Sequence, residues 1–130
     1  MTRFYLDSAP IIYIVETVQP WAAALDIRMA ALNSERVTSY LARLECRVRP
    51  LRDHNRDVLM DFDGFFDQAV ELTAISPQII DEATSIRARF NFSVADAIHL
   101  ATAVSAGCDV FLTNDRWLNR FSQIPIEVIS

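Results

Sequence analysis

Short apolar runs alternate along the chain with amphipathic stretches of helical period. Arg3–Leu6 is a β-like run that stops at Asp7. Ser8 then reads as an N-cap, with Pro10 in the first turn and Ile11, Ile12, Ile14 and Val15 as an apolar helix. Residues 20–32 form a second helix, in which Trp21, Leu25, Met29 and Leu32 recur at near-helical spacing. A brief strand at 36–38 leads to Ser39, which opens a third helix with Leu41, Leu44 and Val48 as its inward stripe. Residues 55–69 give a fourth helix, with Val58, Leu59, Phe62, Phe65 and Phe66 inward and Asp57, Asp61 and Asp67 outward. Residues 70–74 alternate as a strand, and Ser76-Pro77 starts a helix reaching Phe90, with Ile79, Ile80, Ala83 and Ile86 inside. A small-residue helix over 93–106 ends at Gly107. The apolar run 110–112 has the character of a strand buried on both faces of a parallel sheet. A helical turn around Trp117 and Leu118 and a last strand at 126–129 complete the pattern.

This alternation of strands and helices predicts one domain over residues 1–130, a three-layer α/β/α fold with a central parallel sheet of about five strands. A chain of this size buries roughly two-thirds of the surface its unfolded form exposes. An apolar fraction of 52% is enough to fill that core and argues against disorder. No apolar run approaches the ~18 residues of a membrane span, and Met1 leads into a strand rather than a secretory leader. Cys46 and Cys108 are far apart and belong to no Cys/His cluster, as expected of free thiols in a reducing, cytoplasmic setting.

Charge complicates the choice of partner. A net charge of −5 weighs against a polyanion, yet all twelve basic residues are Arg. Arg36, Arg43, Arg47, Arg49, Arg52 and Arg56 fall in one stretch, together with Glu35, Asp53 and Asp57. Both a phosphate-contacting surface and a solvated, self-neutralised face are compatible with that pattern.

The acids carry the chemistry. Asp96 is the one full charge between Val94 and Cys108. A Ser93/Asp96 capping box explains it without any function. Three further acids recur in similar settings. Asp7 and Asp115 each follow a strand, where α/β sheets bind ligands, although both also suit helix caps. Glu45 shares the apolar stripe of the third helix, with Arg43 and Arg47 near enough to neutralise it. Four carboxylates within ~5 Å repel by about 3 kcal/mol per pair at an effective dielectric near 20. Such a cluster stays ionised only around a hard dication, Mg2+ or Mn2+, and zinc is disfavoured because no His or Cys joins the acids. His99, three residues after Asp96, reads as a structural residue that can also reach Asp96 or a substrate.

The stretches Tyr5-Leu6-Asp7-Ser8, Ser39-x5-Glu45, Asp96-Ala97-Ile98-His99-Leu100-Ala101-Thr102-Ala103 and Leu112-Thr113-Asn114-Asp115 together resemble the PIN-domain nucleases, in particular the toxin half of VapBC toxin–antitoxin pairs. The resemblance covers essentially the whole chain. It implies a Mg2+-dependent endoribonuclease that cleaves structured RNA, tRNA or rRNA, slows translation and is silenced by a cognate antitoxin. It also implies a homodimer. Asp7, Glu45, Asp96 and Asp115 would form the acidic pocket, with Asp7 and Asp96 as the principal metal ligands and Mn2+ as a substitute ion. Ser8, Thr113 and Asn114 would orient the carboxylates. The family often has another acid where Asn119 stands, so a full second metal site is not implied here. Two other classes stay open: a non-catalytic PIN-like protein-binding module, and a metal-dependent phosphatase with Asp7 as nucleophile, which the absence of any Lys disfavours.

Overall fold

Strand and helix segments follow one another through residues 1–129, the part of the chain that a computed structural model describes. The order is β1 (Arg3–Leu6), α1 (Ser8–Val15), α2 (Trp21–Arg28), β2 (Glu35–Ser39), α3 (Tyr40–Arg52), α4 (Arg56–Gln68), β3 (Glu71–Thr73), α5 (Pro77–Phe90), α6 (Val94–Ser105), β4 (Val110–Thr113), a 3-10 helix (Arg116–Arg120) and β5 (Ile126–Val128). All five strands pair in parallel, in the spatial order β3-β2-β1-β4-β5. The chain steps outward from β1 to β3, then returns to lay β4 against the free side of β1. Its winding therefore reverses between β1 and β4, the position where open α/β sheets form their ligand crevice.

The strand pleat divides the core in two. Phe4, Leu6, Val110 and Leu112 point to one side, into a cluster with Ile11, Leu25, Phe62 and Phe66. Tyr5, Val37 and Phe111 point to the other, against Ile79, Ile86, Leu100 and Ala101 of α5 and α6. The result is the α/β/α sandwich that the alternation predicts. Each fully buried large apolar side chain contributes about 1.5–3 kcal/mol. Side-chain caps fix the helix starts: Ser39, Asn55, Ser76 and Ser93 accept from the backbone N–H three residues on, each contributing about 1 kcal/mol. α6 stops at a left-handed Gly107, where φ is 68°.

Four expectations need correction. Asp7, not Ser8, is the N-cap of α1, accepting from the Ser8 N–H. The second helix ends at Arg28, and Leu32 lies exposed beyond it. α3 turns the opposite way from its predicted stripe: Ala42, Cys46 and Pro50 are buried, while Leu44 is 59% exposed and Val48 faces outward with it. Small residues let this helix approach α1 closely, and the bulky ones are left on the outside. Ile80 of α5 is likewise exposed. Cys46 and Cys108 are both free thiols.

Candidate active site

Asp7 leaves β1 at the reversal point, and its backbone N–H donates to the Leu112 carbonyl of β4 at 3.0 Å. Its carboxylate is held from both ends: Oδ1 accepts from the Ser8 N–H at 2.9 Å, and Oδ2 accepts from the Thr113 hydroxyl at 2.8 Å. Thr113 is the last residue of β4 and is fully buried. The same hydroxyl accepts from the Asp115 N–H at 3.1 Å. One threonine thus ties the ends of two adjacent strands together and sets both acids on one rim. Asp115 caps the 3-10 helix, its Oδ1 accepting from the Trp117 N–H at 2.9 Å.

α3 and α6 deliver the other polar groups. Glu45 Oε1 accepts from the Ser8 hydroxyl at 2.7 Å and lies 2.6 Å from His99 Nε2. His99 is 2% exposed, and its Nδ1 lies 2.8 Å from the Tyr5 hydroxyl, which donates to Ser39 Oγ at 2.9 Å. With Tyr5 donating to Ser39, both imidazole nitrogens must donate, so every proton in the chain has an acceptor when His99 is charged. Burial opposes that charge, but the Glu45 hydrogen bond and the fields of Asp7, Glu45 and Asp96 outweigh it, and the His99 pKa is raised. Burial likewise pushes against an ionised Glu45, yet the His99 and Ser8 hydrogen bonds prevail and lower its pKa. Burial also raises the Tyr5 pKa, so this phenol stays protonated. Arg43 and Arg47 do not neutralise Glu45. Arg47 Nε instead donates to Asp63 Oδ1 at 2.8 Å, and Arg43 lies 3.6 Å from Asp63 and from Asp67. Half the arginines of the 36–56 stretch are thereby matched on the helix surface, Arg49 pairing with Asp53 at 3.7 Å.

Asp96 stands in the first turn of α6, its backbone N–H donating to the Ser93 cap at 3.1 Å. Its pKa is raised, first by burial and then by the fields of Asp7 and Asp115, against the pull of Ser93 and His99. Asp7, Asp96 and Asp115 therefore share one electrostatic environment, and Glu45 joins it through His99, 3.6 Å from Asp7. Among the described residues, no three His, Cys, Asp or Glu side chains converge closely enough to cage an ion on their own. The donor set is nevertheless all carboxylate and mutually repulsive. That fits a hard dication held by one or two carboxylates and keeping several waters, the usual state of Mg2+. Contrary to the expectation that no His joins the acids, His99 does, but with both ring nitrogens engaged by Glu45 and Tyr5 it offers no lone pair to zinc.

Asn114 stays apart from the acids, exposed, with Nδ2 donating to the Tyr13 hydroxyl at 3.2 Å. Tyr5, Ser39 and His99 are the residues at this site whose connection spacing alone did not reveal. The available signal was a tyrosine inside an otherwise apolar central strand. A cavity of about 480 Å3 between α5 and α6, lined in part by Ile80, Ala83, Val94 and Ile98, contains none of the four acids.

No curated protein sequence matches the chain. Solved structures do. The VapBC2 complex of Rickettsia felis, determined on a fragment of promoter DNA, aligns with a TM-score of 0.78 at 12% identity over 98% of both chains. The DNA-bound VapBC of Salmonella typhimurium gives 0.73 at 20% identity over 100% of both. The sarcin-ricin-loop-cleaving toxin VapC20 of Mycobacterium tuberculosis gives 0.68 at 12% identity, over 83% of this chain and 86% of that one. These likenesses establish the fold. The sequence profile of the PIN domain matches residues 4–124, which takes in β2, β3 and β4 whole, β1 from its second residue, and all four acids, and the chain belongs to the PIN domain family.

Proposed function

We propose that the protein is a divalent-metal-dependent endoribonuclease, the toxin of a toxin–antitoxin pair, which cleaves structured RNA such as tRNA or rRNA and so slows translation. One observation carries this reading. A half-buried carboxylate, Asp96, lies within the fields of Asp7 and Asp115, which stand where the sheet reverses, at a cost in charge repulsion that a cation would remove. Family membership supports it, as do structural relatives described as toxin–antitoxin complexes, one of them a toxin that cleaves the sarcin-ricin loop.

Asp7 and Asp96 are the residues that would hold Mg2+, or Mn2+ in its place, with Glu45 and Asp115 completing the pocket. When bound, the ion supplies Lewis-acid polarisation of the phosphodiester and a lowered pKa for water. The protein's own part is positional. Thr113 and the Ser8 N–H fix the plane of the Asp7 carboxylate. Ser8 and His99 occupy Glu45 Oε1 and hold Glu45 ionised, which leaves Oε2 as the proton acceptor offered to substrate water. Tyr5 and Ser39 lock the His99 ring from behind. Antitoxin and a second copy of the chain have exposed apolar surface available: Leu44, Val48 and Leu51 on α3, and Ile80 and Val94 beside the α5/α6 cavity.

Purified Asp7→Asn and Asp96→Asn proteins should each lose Mg2+-dependent RNA cleavage while staying folded. Full activity in both would remove these roles. The α3 patch also favours a second reading, a PIN-like protein-binding module without catalysis. A melting temperature unmoved by millimolar Mg2+ or Mn2+ would select it, because a real cation site binds the folded state alone. Sequencing RNA ends after brief expression in a host would identify the target.

A further inference from the structure

The 3-10 helix that follows Asp115 carries a half-exposed aromatic ring. Trp117 is 54% exposed. One face of its indole lies on the Arg120 guanidinium, whose carbon is 3.8 Å from the ring centroid. That guanidinium also sits 4.9 Å from the Phe92 ring centroid, and its Nη2 donates to the Phe90 carbonyl. Phe92 is buried, stacked with Phe90 at 5.5 Å and edge-on to Phe121 at 6.3 Å. A pile therefore rises from the core: Phe92, then Arg120, then Trp117. The backbone beneath the indole is fixed as well, since the Trp117 N–H donates to Asp115 Oδ1. The result is a flat ring, braced on one face and partly open to solvent, two residues from one of the four acids.

The other indole differs. Trp21 is stacked on Tyr13 at 5.2 Å and is partly buried. None of the ion pairs among the described residues involves Arg89, Arg116 or Arg120. Arg89 lies over the Phe90 ring at 5.3 Å, and Phe90 is stacked on the Phe92 ring that Arg120 covers. An exposed aromatic face next in sequence to the exposed Arg116 matches a nucleotide, with the base on the ring and a phosphate within reach of a guanidinium.

We propose that Trp117, backed by Arg120, is a stacking subsite for one unpaired base of the RNA strand that enters the acidic pocket. This rests on the nuclease reading and adds a selection rule to it. The strand must offer a base free to leave its own stack at that position, so a loop qualifies and the interior of a duplex does not.

Two measurements separate this inference from the reading beneath it. In the Trp21→Phe chain Trp117 is the sole indole, because the sequence has two Trp. Its fluorescence is titrated, with Ca2+ in place of Mg2+, against a mixed-sequence RNA decamer and the same strand annealed to its complement. The single strand should quench it at a concentration at least fivefold lower than the duplex. In the second measurement, Trp117→Ala should weaken single-strand binding roughly ten- to a hundredfold, and raise KM for a hairpin RNA far more than it lowers kcat. Trp117→Phe should restore both to within about threefold, with Tm unchanged in either variant. Equal quenching by strand and duplex, or native affinity in Trp117→Ala, would overturn the subsite. So would a loss in Trp117→Ala that appears only in binding to a protein partner. Failure of the native chain to cleave any RNA in Mg2+ would sink the nuclease reading itself. Cleavage without quenching would sink the platform alone.

Discussion

Replacing Asp96 by Asn removes a charge and keeps the shape, and it should make the folded chain more stable in the absence of divalent cations. Burial and two neighbouring carboxylates raise the Asp96 pKa, so its ionised form opposes folding at neutral pH. Two like unit charges ~6 Å apart at an effective dielectric of ~40 repel by about 1.4 kcal/mol, which sets the scale for each neighbour. Asp7 and Asp115 together then cost about 3 kcal/mol, which solvent screening of a half-buried group cuts to about 1.5 kcal/mol. Asn at this position gives up about 0.5 kcal/mol of favourable charge at the first turn of α6. The net gain is about 1 kcal/mol. A chain of 130 residues has an unfolding entropy of about 0.27 kcal/mol/K, so Tm should rise by about 4 °C. Differential scanning calorimetry at pH 7 in EDTA reads this directly. The same scans in Mg2+ should raise the native Tm and leave the variant almost unmoved, reversing their order. A lower Tm for Asp96→Asn in EDTA, or an equal Mg2+ shift in both proteins, would refute the electrostatic account of the site.

Three further outcomes follow from the same structure. His99→Ala strips Glu45 and Tyr5 of a buried partner and should cost about 3 kcal/mol, read as a lower urea midpoint at unchanged m-value. In EDTA the charged His99 contributes stability that is complete below its ordinary value of 6.5 and is lost as pH rises through its raised folded-state value. Tm should therefore fall as pH climbs above 6.5, and His99→Gln should flatten that slope over the same window. Leu112→Ala opens a void under the strand whose carbonyl holds the Asp7 backbone, and should cost about 2–5 kcal/mol in urea unfolding.

Much of the architecture is legible from local signals. Ser76-Pro77, Ser39 and Ser93 mark helix starts because capping is a contact between near neighbours, and the structure makes those contacts. Asp7 and Asp115 were recognisable because each ends an apolar run, and parallel pairing of β1 with β4 sets them side by side. The inward face of α3 was not legible. That helix carries a bulky stripe and a small one, and periodicity reports a stripe without saying which side the sheet needs. Close packing against α1 selects Ala42 and Cys46, and the Leu44 side is left outside. The role of His99 was hidden for a different reason. Its partners Glu45 and Tyr5 lie 54 and 94 positions away, and no short-range pattern encodes a hydrogen bond of that span. Arg43 and Arg47 follow the same rule: their acids are on the next helix, not their own.

The threonine that fastens Asp7 sits 106 positions downstream of it. While the ribosome is still making α6, the emerging polypeptide has three of its acids but no β4, no Thr113 and no Asp115. Its first strand is paired on one side only, and Asp7 hangs from an unfinished edge. The Thr113 brace on Asp7 and the placing of Asp115 both depend on β4 pairing with β1. A chain cut short before β4 would lose the brace on Asp7 and the carboxylate of Asp115 at one stroke.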